Sequence, residues 1–547
     1  MSAKTLTPID PDRLTVPRIA DDVVVHEPAG LGEPWVIQRG EHRHFRVQRD
    51  LAQLIQAIDG NRDHDQLVAE LGPPWTTGAV GTAVRTLAGS SLLDDGTVTA
   101  RRRRGTWVRF VPPLTFQFTV LRPERLLARL RPVIRLIAGR AGTAVAGLVA
   151  AGGLLALALL SPQVSVALGS PLPLPAYLGL ALAVLLTTAV HELGHGAVLT
   201  YYGGRPTRMG FMLFYLSPAF FCDVSDGWRL PKNRQRVRVA LAGIATQVVV
   251  AGAAALSALF VTEPSVRSGL LIFAVTTYVS GVLNLAPFVK LDGYIALMSH
   301  LDVPHLRDRA MTDARRWLAR RLFGGTYGRE LPELRWSVAY GLACMTFPLY
   351  IIAGAMALWV DTLQRLGGAG AALALTAVGY LLHLAGRGLV RMVREARAAG
   401  AARGRITAAL TLFAAGVVAT LAFLPIAYNV AGGFVTRPSG QVELVLPTSV
   451  DRADIRPGTP VTLYRAGVVV QTEVASTALG SVPLAADTAS ISVFLPIRTD
   501  RFEVPVLTAA LPGVTTDEPV GTARLHAGDV PLGEWLYRKF AEPLWRW

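Results

Sequence analysis

Cysteine and charged residues are both scarce in this chain, and each scarcity excludes a class of protein. Cys222 and Cys344 are the two cysteines among 547 residues, too few for a disulfide framework or for a zinc site built from thiolates. Charged residues make up 17% of the chain and hydrophobic residues 51%, with a mean hydropathy of +0.38. Soluble domains do not hold so much apolar material, so the composition predicts a membrane protein. The first 22 residues lack an apolar run, so we expect no cleavable signal peptide and a cytoplasmic N-terminus.

Long apolar runs recur through the middle of the chain. A helix of about 20 apolar residues crosses the hydrocarbon core of a bilayer. The chain has seven runs of suitable length, at 141–160, 176–200, 238–261, 269–289, 336–360, 370–386 and 406–430. We therefore predict a mainly α fold, a polytopic membrane helix bundle of about seven spans.

Arginines are distributed unevenly among the segments that connect these runs. Arg101 to Arg104 and seven further arginines from Arg109 to Arg140 precede the first run, whereas the next loop, 161–175, has no charge. Short loops rich in arginine stay in the cytoplasm. The pattern predicts a multi-pass protein of the cell membrane, with a cytoplasmic N-terminus and an extracytoplasmic C-terminal domain.

The net charge of +15 follows the same asymmetry. Residues 431–547 contain 10 basic and 12 acidic side chains, a net charge of −2, so residues 1–430 carry +17. A basic face on a soluble domain would suggest nucleic acid as a partner, but bases on one side of a membrane orient the spans. We expect the lipid bilayer as a partner and no nucleic acid.

The sequence predicts a small folded domain at each end of the chain. The N-terminal region predicts an α+β winged-helix-like domain, with strands at 23–26, 34–38 and 44–47 and helices near 50–58, 63–71 and 78–90. The C-terminal region has short alternating runs rich in Val, Thr, Pro and Gly, which predict a β-rich domain. The expected parts are a polar tail (1–22), the N-terminal domain (23–96), a basic juxtamembrane linker (97–140), the membrane domain (141–430) and the extracytoplasmic β-rich domain (431–547).

The last residues of the chain form an amphipathic tail. The sequence GEWLYRKFAEPLWRW mixes aromatic and basic side chains. Two interpretations stay open, because such a tail either lies on the outer membrane surface or packs on the β-rich domain. The apolar side chains concerned are Trp535, Leu536, Phe540, Leu544 and Trp545.

The second apolar run contains a motif of side chains that can bind a metal ion and accept a proton. His191, Glu192 and His195 form an HExxH sequence within AVHELGHGAV. Residues i and i+4 share one face of a helix, so both imidazoles can bind one zinc ion while Glu192 stands beside them to accept a proton from water. Ionisable side chains inside a span cost about 2.5–3.5 kcal/mol each on insertion scales, so three of them in five positions predict a site with Zn²⁺ as its cofactor.

A third protein ligand is needed, because catalytic zinc keeps three protein ligands and one position for water. Asp292, in an LDG sequence, follows the fourth apolar run. The predicted topology places HELGH and LDG near the cytoplasmic ends of their spans, at one depth. We therefore predict that Asp292 completes the metal site with His191 and His195, although Asp-Gly is also common turn chemistry.

HELGH in one span and NLAPFVKLDGY in another closely resemble the site-2 protease family of intramembrane zinc metalloproteases. Lys290 and Tyr294 beside LDG, with SPAFFCDVSDGW and LAGIATQ before it, are similar to the peptide zinc metalloprotease branch of that family. The resemblance covers roughly residues 175–300. It implies a zinc endopeptidase with Glu192 as general base, and it gives Asn284 a role in holding the substrate strand or the oxyanion. A PDZ insertion, which many relatives carry, is not evident, so substrate selection must come from elsewhere.

A second resemblance lies in the N-terminal domain. The run RVQRDLAQLIQAIDGNRDHDQLVAELG, followed by a third helix and LLDDG, resembles the PqqD-like peptide-recognition domain of ribosomal-peptide biosynthesis. These marks are shared by winged helices in general. In the PqqD-like family a leader peptide adds as a strand to the edge of the sheet.

Together the two resemblances imply a maturation protease. The N-terminal domain would hold the leader of a ribosomally synthesised precursor peptide while the zinc site cuts the leader from a hydrophobic core. This arrangement is similar to the intramembrane metalloprotease of daptide-type peptide biosynthesis. Two other functions stay open: site-2-type regulated intramembrane proteolysis of a membrane-anchored signalling protein, and a non-hydrolytic export or immunity component.

Five further polar residues have ordinary structural interpretations. We expect Asp223 and Asp226 to serve as turn or cap residues. His300 and His305 stand among charged residues and are expected in solvent. His383 lies in the sixth apolar run and is expected to form a hydrogen bond between helices.

Overall fold

The computed structural model describes residues 15–21, 23–27, 35–39, 43–90, 92–94, 108–111, 115–214, 217–365, 367–448, 450, 455–480, 484–499 and 502–542. Most of the predicted polar tail, the run Arg101 to Arg104, and Leu544 and Trp545 lie outside these residues. The chain divides into two compact units. The first unit comprises Met1–Thr143, Thr188–Gly243 and Ser299–Asp302, and the second comprises Ala144–Thr187, Ile244–Met298 and Val303–Trp547.

The N-terminal domain, in the first unit, has the predicted three strands and three helices. An antiparallel sheet in sequence order is followed by the helices, with bounds Val23–His26, Trp35–Arg39, Arg43–Val47, Arg49–Ala57, His64–Leu71 and Thr77–Gly89. Asp63 begins the second helix with a capping box, since its carboxylate accepts from the backbone N–H of Gln66 and the Gln66 side chain accepts from the N–H of Asp63. The core is aliphatic and built from the sheet and all three helices, with Ile37, Leu54, Leu67, Val80, Val84 and Leu92 fully buried or nearly so.

A four-stranded antiparallel sheet also belongs to the first unit. Two of its strands come from the segment predicted to be a basic linker, and two come from the loop after the HELGH motif. The linker segment also forms two short helices, Glu124–Arg129 and Arg131–Ala138. It is therefore a folded part of the first unit. The sheet order is Val108–Val111, Thr115–Leu121, Met209–Phe214 and Ser217–Cys222.

Six helices of the described residues are long and apolar enough to cross a membrane, so the chain is a membrane protein built mainly of helices. The predicted fifth span falls on the helix Ser337–Arg365, of which Ser337–Ile352 is apolar. Two further helices, Asp292–Leu301 and Leu306–Phe323, precede it. The six candidate spans are Arg140–Leu159, Leu174–Tyr201, Asn233–Ser257, Pro264–Asn284, Ala372–Ala398 and Arg403–Phe423.

Small residues allow the helices Arg140–Leu159 and Asn233–Ser257 to touch. In the second unit, a Cβ atom built on Gly153 would lie 2.3 Å from the Cα of Gly252. A third helix, Pro264–Asn284, is also joined to the first, because the hydroxyl of its Tyr278 donates a hydrogen bond to the carbonyl of Ala150, at 2.7 Å. Helices that meet in a membrane commonly use small residues and such side-chain bonds, because lipid offers no hydrophobic gain for their association.

A seven-stranded antiparallel sheet forms the β-rich C-terminal region of the second unit. It begins at Pro425, inside the predicted seventh span, because the helix Arg403–Phe423 ends just before this proline. Its core includes Phe434, Leu444, Leu463 and Leu525. The strand order is Thr472–Ala478, Pro460–Arg465, Val520–Pro531, Pro425–Thr436, Val442–Pro447, Glu503–Leu511 and Ala485–Ser490.

The uncharged loop after the first candidate span is joined to this C-terminal region. It forms a helix, Ser161–Leu168, and a short strand, Leu172–Pro173, that pairs in parallel with Ile497–Arg498. The backbone N–H groups of Val469 and Val470 both donate to the carbonyl of Leu168, each at 3.1 Å. We call these contacts the loop clamp.

The amphipathic tail packs on its own chain as far as it is described. Phe540 is buried against Ala374, with Trp535 beside it. The Lys539 ammonium donates to the backbone carbonyl of Asn429, at 2.7 Å. The tail therefore contacts the β-rich region at Asn429 and the candidate span Ala372–Ala398 at Ala374, and its position at the membrane surface stays a prediction.

Candidate metal centre

Two histidine nitrogens face each other on the helix Leu174–Tyr201, which we call the HELGH helix. His191 and His195 are 9% and 6% exposed, and their Nε2 atoms are 3.2 Å apart. Two Zn–N bonds of about 2.05 Å at a tetrahedral angle place their nitrogens about 3.3 Å apart. The observed separation therefore fits two ligands of one zinc ion.

A backbone carbonyl determines which nitrogen of His195 carries the proton. The Nδ1 atom of His195 lies 2.8 Å from the carbonyl oxygen of Val239. A carbonyl oxygen only accepts, so Nδ1 must donate its hydrogen, which leaves a lone pair on Nε2 in the neutral ring. That lone pair points at His191, and a hydrogen or a cation must lie between the two nitrogens to prevent their repulsion.

Gly243 provides the space in front of both nitrogens. It lies on the helix Asn233–Ser257, and a Cβ atom built on it would be 2.4 Å from Nε2 of His195 and 2.6 Å from Nε2 of His191. Any other residue would fill the position that a metal ion needs. Gly243 stands in LAGIATQ, but nothing in the sequence singles it out among 52 glycines.

Asp292 belongs to the same group of possible metal ligands as the two histidines, and its role as a zinc ligand stays a prediction. One ligand atom from each of His191, His195 and Asp292 lies within 4.8 Å of the others. Asp292 is the first residue of the helix Asp292–Leu301, not the end of the preceding span, whose helix stops at Asn284. The turn between the two helices is tight, since a Cβ atom on Gly293 would lie 2.1 Å from the carbonyl oxygen of Leu285.

Glu192 is held by the last strand of the four-stranded sheet. Its carboxylate accepts a hydrogen bond from the backbone N–H of Cys222, at 2.8 Å. Burial, together with the carboxylates of Glu192 and Asp223, raises the pKa of the Cys222 thiol to about 12. The thiol is therefore protonated at neutral pH, and a protonated thiol is a poor nucleophile.

Asn284 is placed at the end of the helix Pro264–Asn284. Its amide Nδ2 donates a hydrogen bond to Oε1 of the buried Gln247, at 3.4 Å. Its role toward a substrate stays a prediction.

The remaining polar residues are mostly where we expected them. Asp223 accepts from the backbone N–H and hydroxyl of Ser225, and Asp226 accepts from the N–H of Arg205. Burial would raise the pKa of Asp223, but hydrogen bonds from Ser225 and Arg208 outweigh it and hold that pKa below its ordinary value. His300 and His305 are exposed. His383 is exposed too, and the hydrogen bond between helices that we expected of it stays a prediction.

Comparison with protein-family models, with curated proteins and with solved structures finds no match for this chain.

Proposed function

We propose that this protein is an intramembrane zinc metalloprotease. The observation that carries the proposal is the pair of buried Nε2 atoms 3.2 Å apart, with Gly243 leaving open the space in front of them. Asp292 supplies a carboxylate to the same group. Two imidazoles and a carboxylate are a common ligand set of catalytic zinc, which leaves one position for water.

Each residue of the group has a distinct task in peptide hydrolysis. His191, His195 and Asp292 would hold the zinc ion, which when bound polarises the scissile carbonyl and increases the acidity of the attacking water. Glu192 takes a proton from that water and passes it to the leaving amine. The N–H of Cys222 restrains the Glu192 carboxylate beside the histidines.

We further propose that the substrate is a ribosomally synthesised precursor peptide with a hydrophobic core. Support comes from the N-terminal domain, whose three strands and three helices follow the order expected of a PqqD-like peptide-recognition domain. Its sheet has two edge strands, Val23–His26 and Arg43–Val47, and an edge strand can accept an extended leader peptide. The zinc site would then cut between leader and core.

The loop clamp supports an extracytoplasmic C-terminal region. It joins the uncharged loop after the first candidate span to the sheet that follows the last one, so both lie on one side of the membrane. An even number of crossings must then separate them, and the five candidate spans that follow the first make an odd number. We assign the sixth crossing to the helix Ser337–Arg365, which is 29 residues or about 44 Å long and begins with the apolar part Ser337–Ile352.

The decisive experiment is zinc-dependent cleavage of candidate precursors by the purified protein, followed by mass spectrometry. Glu192→Gln should keep zinc and lose cleavage by a factor of about 10² to 10⁴, the usual contribution of a general base. Equal cleavage by this variant would contradict the proposal. Cleavage of a membrane-anchored signalling protein, with no leader binding by the N-terminal domain, would favour regulated intramembrane proteolysis instead.

A further inference from the structure

Two short helices directly before the first candidate span expose several large apolar side chains, which we call the apolar surface of this segment. They are Glu124–Arg129 and Arg131–Ala138. Exposed apolar side chains in such number need a partner surface. The residues concerned are between 42% and 72% exposed: Leu126, Leu130, Val133, Leu136 and Ile137.

Six exposed arginines accompany this apolar surface. Among the described residues none of the six forms an ion pair, and Glu124, the one acid of the segment, pairs with Arg205 at 3.8 Å. At 100° per residue, Arg131 and Arg135 lie on one side of their helix, opposite Val133, Leu136 and Ile137. The arginines are Arg122, Arg125, Arg129, Arg131, Arg135 and Arg140.

The chain then turns sharply into the membrane helix. Only Gly139 separates the helix Arg131–Ala138 from the candidate span Arg140–Leu159. A Cβ atom on Gly142 would lie 2.3 Å from the carbonyl oxygen of Ile137, so the two helices meet at a closed corner. An amphipathic helix joined in this way to a span is held at the depth where the span leaves the hydrocarbon.

The same segment touches the helix of the metal centre. Leu127 is 4% exposed, and a Cβ atom on Gly196 would be 3.0 Å from its Cδ1 atom. Gly196 directly follows His195. A displacement of the segment would therefore press on the backbone beside a predicted zinc ligand.

We infer that residues 122–140, which we name the juxtamembrane platform, lie in the bilayer interface and bind the phosphate headgroups of anionic lipids. The leucines and isoleucine enter the boundary between headgroups and acyl chains, as in other interfacial helices. The arginine side chains extend to lipid phosphates, which guanidinium groups bind in a bidentate manner. An uncharged lipid surface would accept the apolar side chains but leave the arginines without anions.

Hydrogen exchange of the full-length protein in nanodiscs tests this inference. Backbone amides of 124–138 should exchange more slowly in nanodiscs that contain phosphatidylglycerol than in nanodiscs of phosphatidylcholine alone. In the double variant Arg131→Gln/Arg135→Gln the difference should fall by about fivefold per arginine, the effect of one basic residue near an anionic surface. High ionic strength should reduce the difference as well, because salt screens exposed charges.

Three controls distinguish headgroup binding from a general effect of lost charge or lost folding. Arg456→Gln/Arg498→Gln removes the same charge from exposed positions of the C-terminal region and should leave the exchange of 124–138 unchanged. Leu136→Ser/Ile137→Ser should increase exchange in both lipids. Amides of 49–89 in the N-terminal domain should exchange as in the wild type in every variant that folds.

Three results would overturn the inference: equal exchange in the two kinds of nanodisc, an equal loss in the control variant, or the same protection from inorganic phosphate in phosphatidylcholine alone. None of these measurements depends on peptide cleavage, so they are independent of the proposed protease activity.

Discussion

Gly243 is the residue on whose small size the candidate metal centre depends most. Its missing side chain leaves the space that both histidine nitrogens face. A methyl group there would stand 2.4 Å from Nε2 of His195, closer than any van der Waals contact allows. Zinc and a side chain at position 243 therefore exclude each other.

We predict that Gly243→Ala lowers the zinc content of the purified protein to less than about a tenth of the wild-type value, because changes beside metal ligands commonly weaken metal affinity by about 10–100-fold and this methyl group would occupy the space in front of both nitrogens. Metal content measured by mass spectrometry of the acid-digested protein checks this. Gly179→Ala is the matched control on the HELGH helix, since a Cβ atom there meets nothing within 4 Å. Equal loss of zinc from both variants would show that helix packing, not the metal site, is responsible.

The Cys222 thiol reports on the charge of Glu192. With its pKa near 12, Cys222 should stay unmodified by a small thiol reagent at pH 8 while an exposed cysteine at Arg498→Cys reacts. Glu192→Gln removes one of the negative charges that raise this pKa, so the pKa should fall and modification become faster. Burial, the larger cause, remains in the variant, so the increase should be modest. A rate unchanged by Glu192→Gln would mean that the carboxylate is not charged beside the thiol.

At the residue scale, the grouping of the candidate metal ligands was predictable from the sequence, and the geometry around them was not. Two histidines four residues apart inside an apolar run predict the metal ligands because helix periodicity alone brings them together. Asp292 lies 97 residues beyond His195, and the structure brings it into the same group. The space at Gly243 and the proton acceptor at the Val239 carbonyl depend on how a second helix packs. No local sequence pattern predicts that packing.

At the scale of elements, regular segments were predicted better than long-range pairings. The N-terminal strands and helices match the structure within about two residues because turn and cap residues such as Asp63 are local. The four-stranded sheet pairs Thr115–Leu121 with Met209–Phe214, segments far apart in the sequence. The end of the last candidate span was missed because the chain stays apolar beyond Phe423, where hydropathy does not separate helix from strand.

A buried carboxylate joins two helices of the second unit. Asp313, 2% exposed on the helix Leu306–Phe323, accepts from the N–H groups of Glu330 and Leu331. It also accepts from the hydroxyl of Ser337, the first residue of the next helix, at 2.8 Å. Both carboxylate oxygens are therefore used, and neither faces solvent.

We predict that Asp313→Asn lowers the free energy of unfolding by about 1–3 kcal/mol. In either orientation the asparagine NH₂ group faces a backbone N–H, and an unsatisfied buried donor costs about 1–3 kcal/mol. Thermal unfolding in detergent measures the effect as a lower midpoint. Asp308→Asn is the control, because its ion pair with Lys290 is exposed and should contribute less than about 1 kcal/mol. Equal midpoints for the two variants would contradict the prediction.

At the scale of the whole molecule, the side of the membrane on which each segment lies is the main prediction. A cysteine introduced by Ser165→Cys, at an exposed position of the loop 161–175, should react with a membrane-impermeant thiol reagent on intact cells. A cysteine at Lys232→Cys, exposed in the basic segment after the HELGH helix, should react only after permeabilisation. The pattern follows from short arginine-rich loops staying inside. Labelling of both positions on intact cells would refute the proposed orientation.

The loop clamp has a mechanical consequence for the metal centre. It fixes Leu172 and Pro173, and the HELGH helix begins at the next residue, Leu174. His191 lies 17 residues further along, at about 1.5 Å per residue some 26 Å from the fixed end. A tilt of about one degree around that end would move a point this far along a straight helix by about 0.4 Å. The C-terminal region holds the residues directly before this helix, so it limits how far the start of the helix that carries both candidate ligands can tilt.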